Sequence, residues 1–96
     1  MSDDIIEELR ANRLKYINEL KEAIVSKNPD AMLLDGHDDA LAGYDTKGRA
    51  IYYANHIILT LMDRDDMTEE EAVEFFDYNI EGSYVGEYTP IYMYDE

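Results

Sequence analysis

The sequence predicts an α+β fold, with three or four helices packed on a small three-stranded antiparallel β-sheet formed by a hairpin and a C-terminal strand. Three observations point there. Apolar residues recur at helical spacing in two separate stretches, at 3–26 and at 54–62. A turn signal, Asp45-Thr46-Lys47-Gly48, is flanked by short apolar runs, as in a hairpin. The segment Ile91-Tyr92-Met93-Tyr94 alternates in side-chain character with the period of a strand.

The first helix spans 3–26. Ser2 suits its N-cap, and Asp3, Asp4, Glu7 and Glu8 suit the positive end of its dipole, with Lys21 and Lys27 toward the other end. Ile6, Leu9, Tyr16, Leu20 and Ala23 form the apolar stripe, widened by Ile5, Ile17 and Ile24 and interrupted by Arg13. Asn28-Pro29-Asp30 stops the helix, because proline lacks an amide hydrogen and restricts the residue before it. Asp30 is expected to cap one further turn over 31–34, followed by the polar loop Asp35-Gly36-His37-Asp38-Asp39.

The hairpin strands are expected over 40–44 and 49–53, with Gly48 supplying the positive φ of the turn. Ala54, Ile57, Ile58, Leu61 and Met62 then mark a short helix. Thr68-Glu69-Glu70-Glu71 is a capping box, in which the threonine hydroxyl and the glutamate carboxylate each satisfy the other residue's backbone amide. Ala72, Phe75, Phe76 and Asn79 line one face of the helix it opens, with Ile80 alongside, and Gly82 is its C-cap or Tyr84-Val85 an extension. Asn79, placed among apolar neighbours, is expected to be buried and bonded to the backbone of the 82–89 turn. The whole reads as one domain over 1–96, an N-terminal helical segment (1–34) joined to an α+β core (35–96).

Composition narrows the function classes. The 96 residues carry a formal charge of −15, with nine Tyr, two Phe and five Met, too aromatic and apolar for a disordered acidic chain. Residues 1–49 hold 11 acids against 7 bases, and residues 50–96 hold 12 acids against one, Arg64, so the negative charge builds toward the C-terminus. Direct nucleic-acid binding and an anionic membrane surface are disfavoured by repulsion, and a basic protein surface is the natural complement. The absence of cysteine excludes disulfides, zinc–thiolate sites and thiol nucleophiles. The first residues lack the pattern of a secretory leader and no apolar run reaches the length of a membrane span, so a cytoplasmic location is expected.

From Asp35 onward a set of residues carries a resemblance: Asp35, Asp38-Asp39-Ala40, Gly43, Met67-Thr68-Glu69-Glu70-Glu71-Ala72, Phe75-Phe76, Asn79-Ile80, Gly82, Tyr84-Val85-Gly86-Glu87 and Thr89-Pro90. On these the chain resembles a family of small acidic uncharacterised proteins of phages and bacteria. Tyr88 stands where members of that family often carry glycine. The resemblance covers about two thirds of the chain and leaves out the first helix. It implies a phage origin, hence a host cytoplasm, and a shared fold. It implies no activity and no site.

Glu70, Glu74, Asp77 and Glu81, at offsets 0, 4, 7 and 11, form one acidic stripe about 16 Å long on an ideal helix. Like charges at i, i+4 oppose helix formation, and no base within the helix offsets them. A solvated face that confers solubility is the simplest reading. The sharper one is an acidic surface offered to a basic host protein, even as a mimic of nucleic-acid phosphates in an anti-defence inhibitor; Asp63, Asp65, Asp66, Glu87 and Asp95-Glu96 would then extend the field. Tyr88, Tyr92 and Tyr94 are expected to form an outward aromatic patch if Ile91 and Met93 pack inward.

Asp35, Asp38, Asp39 and His37 bring metal-type donors together, yet their spacing fits no known calcium loop, and the aspartates are read as bonding loop amides. His56, beside Ile57-Ile58, is read as a structural histidine. With no phosphate loop, HExxH pair or nucleophile elbow, no catalytic residue, metal ligand or cofactor is assigned. The expected function is therefore non-enzymatic binding. The alternative is an assembly accessory that self-associates, as a homodimer, through the tyrosines or the first helix; a metal-dependent enzyme built on 35–39 ranks third.

Overall fold

A computed structural model of the chain describes residues 2–83 and 85–95. The expected cap at Ser2, the Asp3 carboxylate, the Tyr84 extension and Glu96 concern side chains or residues outside those described. The order of elements is α1 (Ser2–Lys27), a 3₁₀ turn (Asp38–Ala40), β1 (Leu41–Tyr44), β2 (Ala50–Tyr53), α2 (Ala54–Arg64), α3 (Glu69–Phe75), a π-helical turn (Phe76–Glu81) and β3 (Ile91–Met93).

α1 ends where proline dictates, but only its second half joins the body. Ile17 and Ile24 are buried and Leu20 packs beside them, whereas Ile5, Ile6, Leu9 and Tyr16 are exposed. A helix of 26 residues is about 39 Å long, more than a body of this size can cover. The molecule is correspondingly drawn out, 47 × 36 × 23 Å, with a radius of gyration of 14.5 Å. A compact chain of this length would have about 12.5 Å.

Residues 31–34 form no further helical turn, a correction to the sequence reading. The Asn28 side chain, not Asp30, organises the exit: its Oδ1 accepts the Asp30 amide at 3.1 Å, and its Nδ2 reaches the Lys47 carbonyl at 3.5 Å. The segment then runs past β2, where the Leu34 amide donates to the Tyr52 hydroxyl oxygen at 2.8 Å. Burial pushes the Tyr52 phenol up to about 12.

The hairpin forms as expected. Asp45 Oδ1 accepts the amides of Lys47 (2.9 Å) and Arg49 (2.8 Å), and Oδ2 accepts Arg49 Nε at 2.6 Å. Partial burial would raise the Asp45 pKa, but these hydrogen bonds outweigh it and hold the carboxyl below its ordinary value. Gly48 has φ +81°, and a Cβ there would stand 2.5 Å from Asn28 Cβ. The end of α1 and the tip of the hairpin therefore interlock.

The sheet order is β1-β2-β3. β1 and β2 are antiparallel with an irregularity between Leu41 and Gly43, but β3 lies parallel to β2, pairing Ile51 with Ile91, Tyr52 with Tyr92 and Tyr53 with Met93. The sheet is thus mixed, not wholly antiparallel. The chain leaves β2 straight into α2 and returns through α3 and the π turn, which is the long helical crossover a parallel pair requires. Three α-helices and this sheet share one core. At its centre lie Tyr52, Phe76, Ile24, Ile57 and Leu61, each almost wholly inaccessible to solvent.

Candidate functional site

The capping box forms in full: Thr68 Oγ1 accepts the Glu71 amide at 3.2 Å, and the Thr68 amide donates to Glu71 Oε1 at 2.8 Å. Glu71 is thereby committed to the helix start. Glu70 and Glu74 stand free on the outer side of α3, four residues apart and both exposed. Asp77 and Glu81 are exposed too, but they belong to the π turn. That wider turn rotates less per residue, so the single line drawn for an α-helix does not continue through them. Glu81 instead borders a cleft with Arg49, Glu87 and Tyr92. Among the described residues, none of the four acids forms an ion pair.

The same π turn resets the inner face. Ala72, Phe76 and Ile80 are buried at intervals of four, while Phe75 is partly exposed and Asn79 is exposed. Asn79 is therefore not the buried, backbone-bonded residue the sequence suggested. An α-helix would drift sideways over eight residues, whereas the wider ring holds Phe76 and Ile80 in line with Ala72 and swings Asn79 out. Gly82 closes the turn in a right-handed conformation, its amide bonded to the Asp77 carbonyl at 2.9 Å. It is glycine for space: a Cβ would lie 2.6 Å from that carbonyl oxygen.

This swing creates a surface that sequence reasoning missed. Phe75 and Tyr78, the latter 78% exposed, line a shallow depression of about 380 Å³ with Met67, Glu71, Glu74 and Asn79. Residue spacing gives no sign of this surface, because the direction of Tyr78 depends on the π turn. The patch of Tyr88, Tyr92 and Tyr94 does not assemble. Tyr92 turns inward, edge-on to Phe76 at 5.3 Å and stacked on Tyr52 at 6.3 Å, and burial, then the Glu81 charge, raise its pKa. Met93 takes the outward position instead, Tyr88 is half-buried and Tyr94 is exposed beyond the strand.

The acidic loop diverges. Asp38 Oδ2 accepts Lys21 Nζ at 3.0 Å, and Asp39 meets the Arg13 guanidinium through both its carboxylate and its carbonyl oxygen. The two aspartates fasten α1 to the body. Among the described residues, no group of three or more His, Asp and Glu side chains is placed to share a metal ion. His56 stacks against Tyr53 at 4.7 Å and faces the Asp95 carboxylate at 3.5 Å, while Asn55 exchanges two hydrogen bonds with the Asp95 backbone. This clasp holds the end of the chain, and His56 also lines a surface cavity of about 670 Å³ with Arg10, Arg13, Asp38, Asp39 and Leu59.

His37 is 7% exposed, and its Nδ1 is buried without a hydrogen-bond partner among the described residues. Burial lowers its pKa, the nearby Arg64 charge lowers it further, and Asp65 opposes both. Arg64 Nη1 donates to the neighbouring Gly36 carbonyl at 2.8 Å. Because the folded pKa lies below the unfolded value of about 6.5, the unfolded chain binds the proton first as pH falls. Its contribution to stability is complete above about pH 6.5 and is lost below it, down through the folded pKa. Thermal melts at about pH 7.5 and 5.5 are expected to show a fall in Tm for the wild type that is smaller in His37→Leu. An equal fall in both would assign the loss to other groups.

Among the described residues no helix is long and apolar enough to cross a membrane. Compared with protein-family models, curated proteins and solved structures, the chain matches none.

Proposed function

We propose that the protein is a non-enzymatic binding module that presents the outer face of α3 and the π turn to a basic protein surface. The observation that carries this reading is the company the acids keep. Glu70, Glu74 and Asp77 are exposed and unpaired among the described residues, and Glu74 lines one depression with the exposed rings of Phe75 and Tyr78. A helix selected for stability alone would mix signs on that face. Unpaired carboxylates beside aromatic faces suit arginine and lysine, which carboxylates bind by charge and rings by cation–π contact.

Mimicry of a duplex is a poorer fit. Glu70 and Glu74 are about 6 Å apart along the axis at 1.5 Å per residue, against one charge per roughly 1.7 Å for DNA. A protein that itself binds nucleic acid remains a fitting target, since its surface is basic. The reading includes a phage origin, resting on the resemblance from Asp35 onward, and action in the host cytoplasm.

The experiment is affinity capture from host lysate at low salt and at roughly 0.5 M salt, where the Debye length falls to a few ångströms. A basic protein should be held at low salt, released at high salt and lost with Glu70→Lys/Glu74→Lys, whose Tm stays within a few degrees of wild type because both positions are exposed. Capture that survives the double reversal at low salt would remove this face from the interaction.

A further inference from the structure

The apolar row Ile5, Ile6 and Leu9 on the first half of α1 is exposed in the monomer, and we propose that it is covered by the same half of a second copy, the two helices running antiparallel. Ile5, Ile6 and Leu9 are 51%, 44% and 62% exposed, and they continue toward the N-terminus the stripe that Ile17, Leu20 and Ile24 bury against the body. Tyr16, 54% exposed, closes the other end of this surface. Single exposed apolar residues are ordinary, but a contiguous row on one helix face marks an interaction surface.

Charge selects the occupant. Outside α1 the chain holds 17 acids and 3 bases, so two copies approaching through their α3 and C-terminal surfaces repel. Residues 2–27 hold 6 acids and 5 bases, so α1 is nearly neutral. A foreign basic partner would be drawn to the body and would find no net attraction on α1.

Charge also selects the direction. The acids of the projecting half come first (Asp3, Asp4, Glu7, Glu8) and the bases follow (Arg10 and Lys15, with Arg13 engaged by Asp39). A parallel pair would set acid on acid and base on base. In an antiparallel pair with its two-fold axis near Leu9 and Arg10, each acidic turn lies beside the basic turn of the other copy. The two-fold symmetry makes each such contact twice. Leu9 then sits at the centre of the apolar seam, with Ile5 and Ile6 toward its ends.

The absence of cysteine from the chain makes the arrangement directly readable. Leu9→Cys, next to the axis, should cross-link to a covalent dimer on mild oxidation. Ile5→Cys should not, because its two copies would be about 13 Å apart along the axis at 1.5 Å per residue, beyond the reach of a disulfide. Both positions are exposed, so neither change threatens the fold. Sedimentation equilibrium of the cysteine-free chain, in a series up to about 1 mM where weak pairs are populated, should show a monomer–dimer equilibrium. Glu7→Lys/Glu8→Lys should raise its dissociation constant about tenfold or more, several surface ion pairs being turned repulsive. Mixing that variant with Arg10→Glu/Lys15→Glu should restore the dimer. A monomer throughout the series overturns the proposal, whether or not the helix is taken up by lipid vesicles or by another protein. Equal cross-linking at positions 5 and 9 overturns the antiparallel arrangement.

Discussion

Phe76→Ala is expected to lower the stability by about 3–5 kcal/mol, the usual cost of emptying a buried phenylalanine site. Phe76 is wholly inaccessible, and its ring meets the edge of Tyr92, so it joins the π turn to the parallel strand. The site has little freedom to collapse. On one side the π turn is held shut by the Gly82 amide on the Asp77 carbonyl, and on the other Tyr92 is fixed by its pairing opposite Tyr52. A chain of this length has a total stability of roughly 5–14 kcal/mol, so the loss removes a large share of it. Urea melts read the effect as a lower midpoint with an unchanged slope. Phe75→Ala, one residue away but partly exposed, is the matched control and should cost much less. Equal costs at 75 and 76 would contradict the inner face described for the π turn.

Gly48→Ala should cost about 2–5 kcal/mol, for two reasons that add at one atom. At φ +81° an L-residue carries the left-handed strain of roughly 1–2 kcal/mol. The new methyl would also lie 2.5 Å from Asn28 Cβ, and overpacking of this kind costs about 1–3 kcal/mol. Asn28 cannot simply move, since its side chain accepts the Asp30 amide and turns the chain out of α1. The two parts separate in the background of Asn28→Gly, which has already lost that side chain's hydrogen bonds: Gly48→Ala added there should cost only the backbone part. An equal cost of Gly48→Ala with and without the Asn28 side chain, read by chemical denaturation, would mean that the hairpin tip and the end of α1 do not interlock.

Local chemistry was the legible part of the sequence. The proline stop after α1, the positive φ of Gly48, the capping box and the Ala54–Leu61 stripe each depend on residues within a turn or two of one another, and each took its expected form. What failed depended on distant partners. Alternation in 91–94 announces a strand but carries no information on direction, which is set by the helices that return the chain to β2. Likewise it could not say which side of β3 faces the core: Tyr92 is inside because Phe76 and Tyr52 meet it there. The inner face of 69–81 was assigned at α-helical spacing, and the π turn moved Asn79 out and broke the line of acids. The first helix had a sound amphipathic pattern, yet a pattern cannot report that the body is too short to cover it. Of the candidate site, Glu70 and Glu74 were readable from spacing, while the exposed rings of Phe75 and Tyr78 beside Glu74 were not.

The parallel pairing of β3 has a consequence for how the sheet is put together. β1 and β2 meet across a tight turn, while each β2–β3 pair joins residues 40 apart in the chain. Closing the 37 residues between these strands costs about 2 kcal/mol more chain entropy than closing a turn of about four. No contact internal to a three-residue strand repays that difference. β3 is held by the ring of Phe76 and by the Asp95 clasp on Asn55 and His56, both of which require the helices to be in place already. The central strand therefore waits with one edge bare until the helical layer is complete, so the last step of assembly and the burial of that edge are the same event.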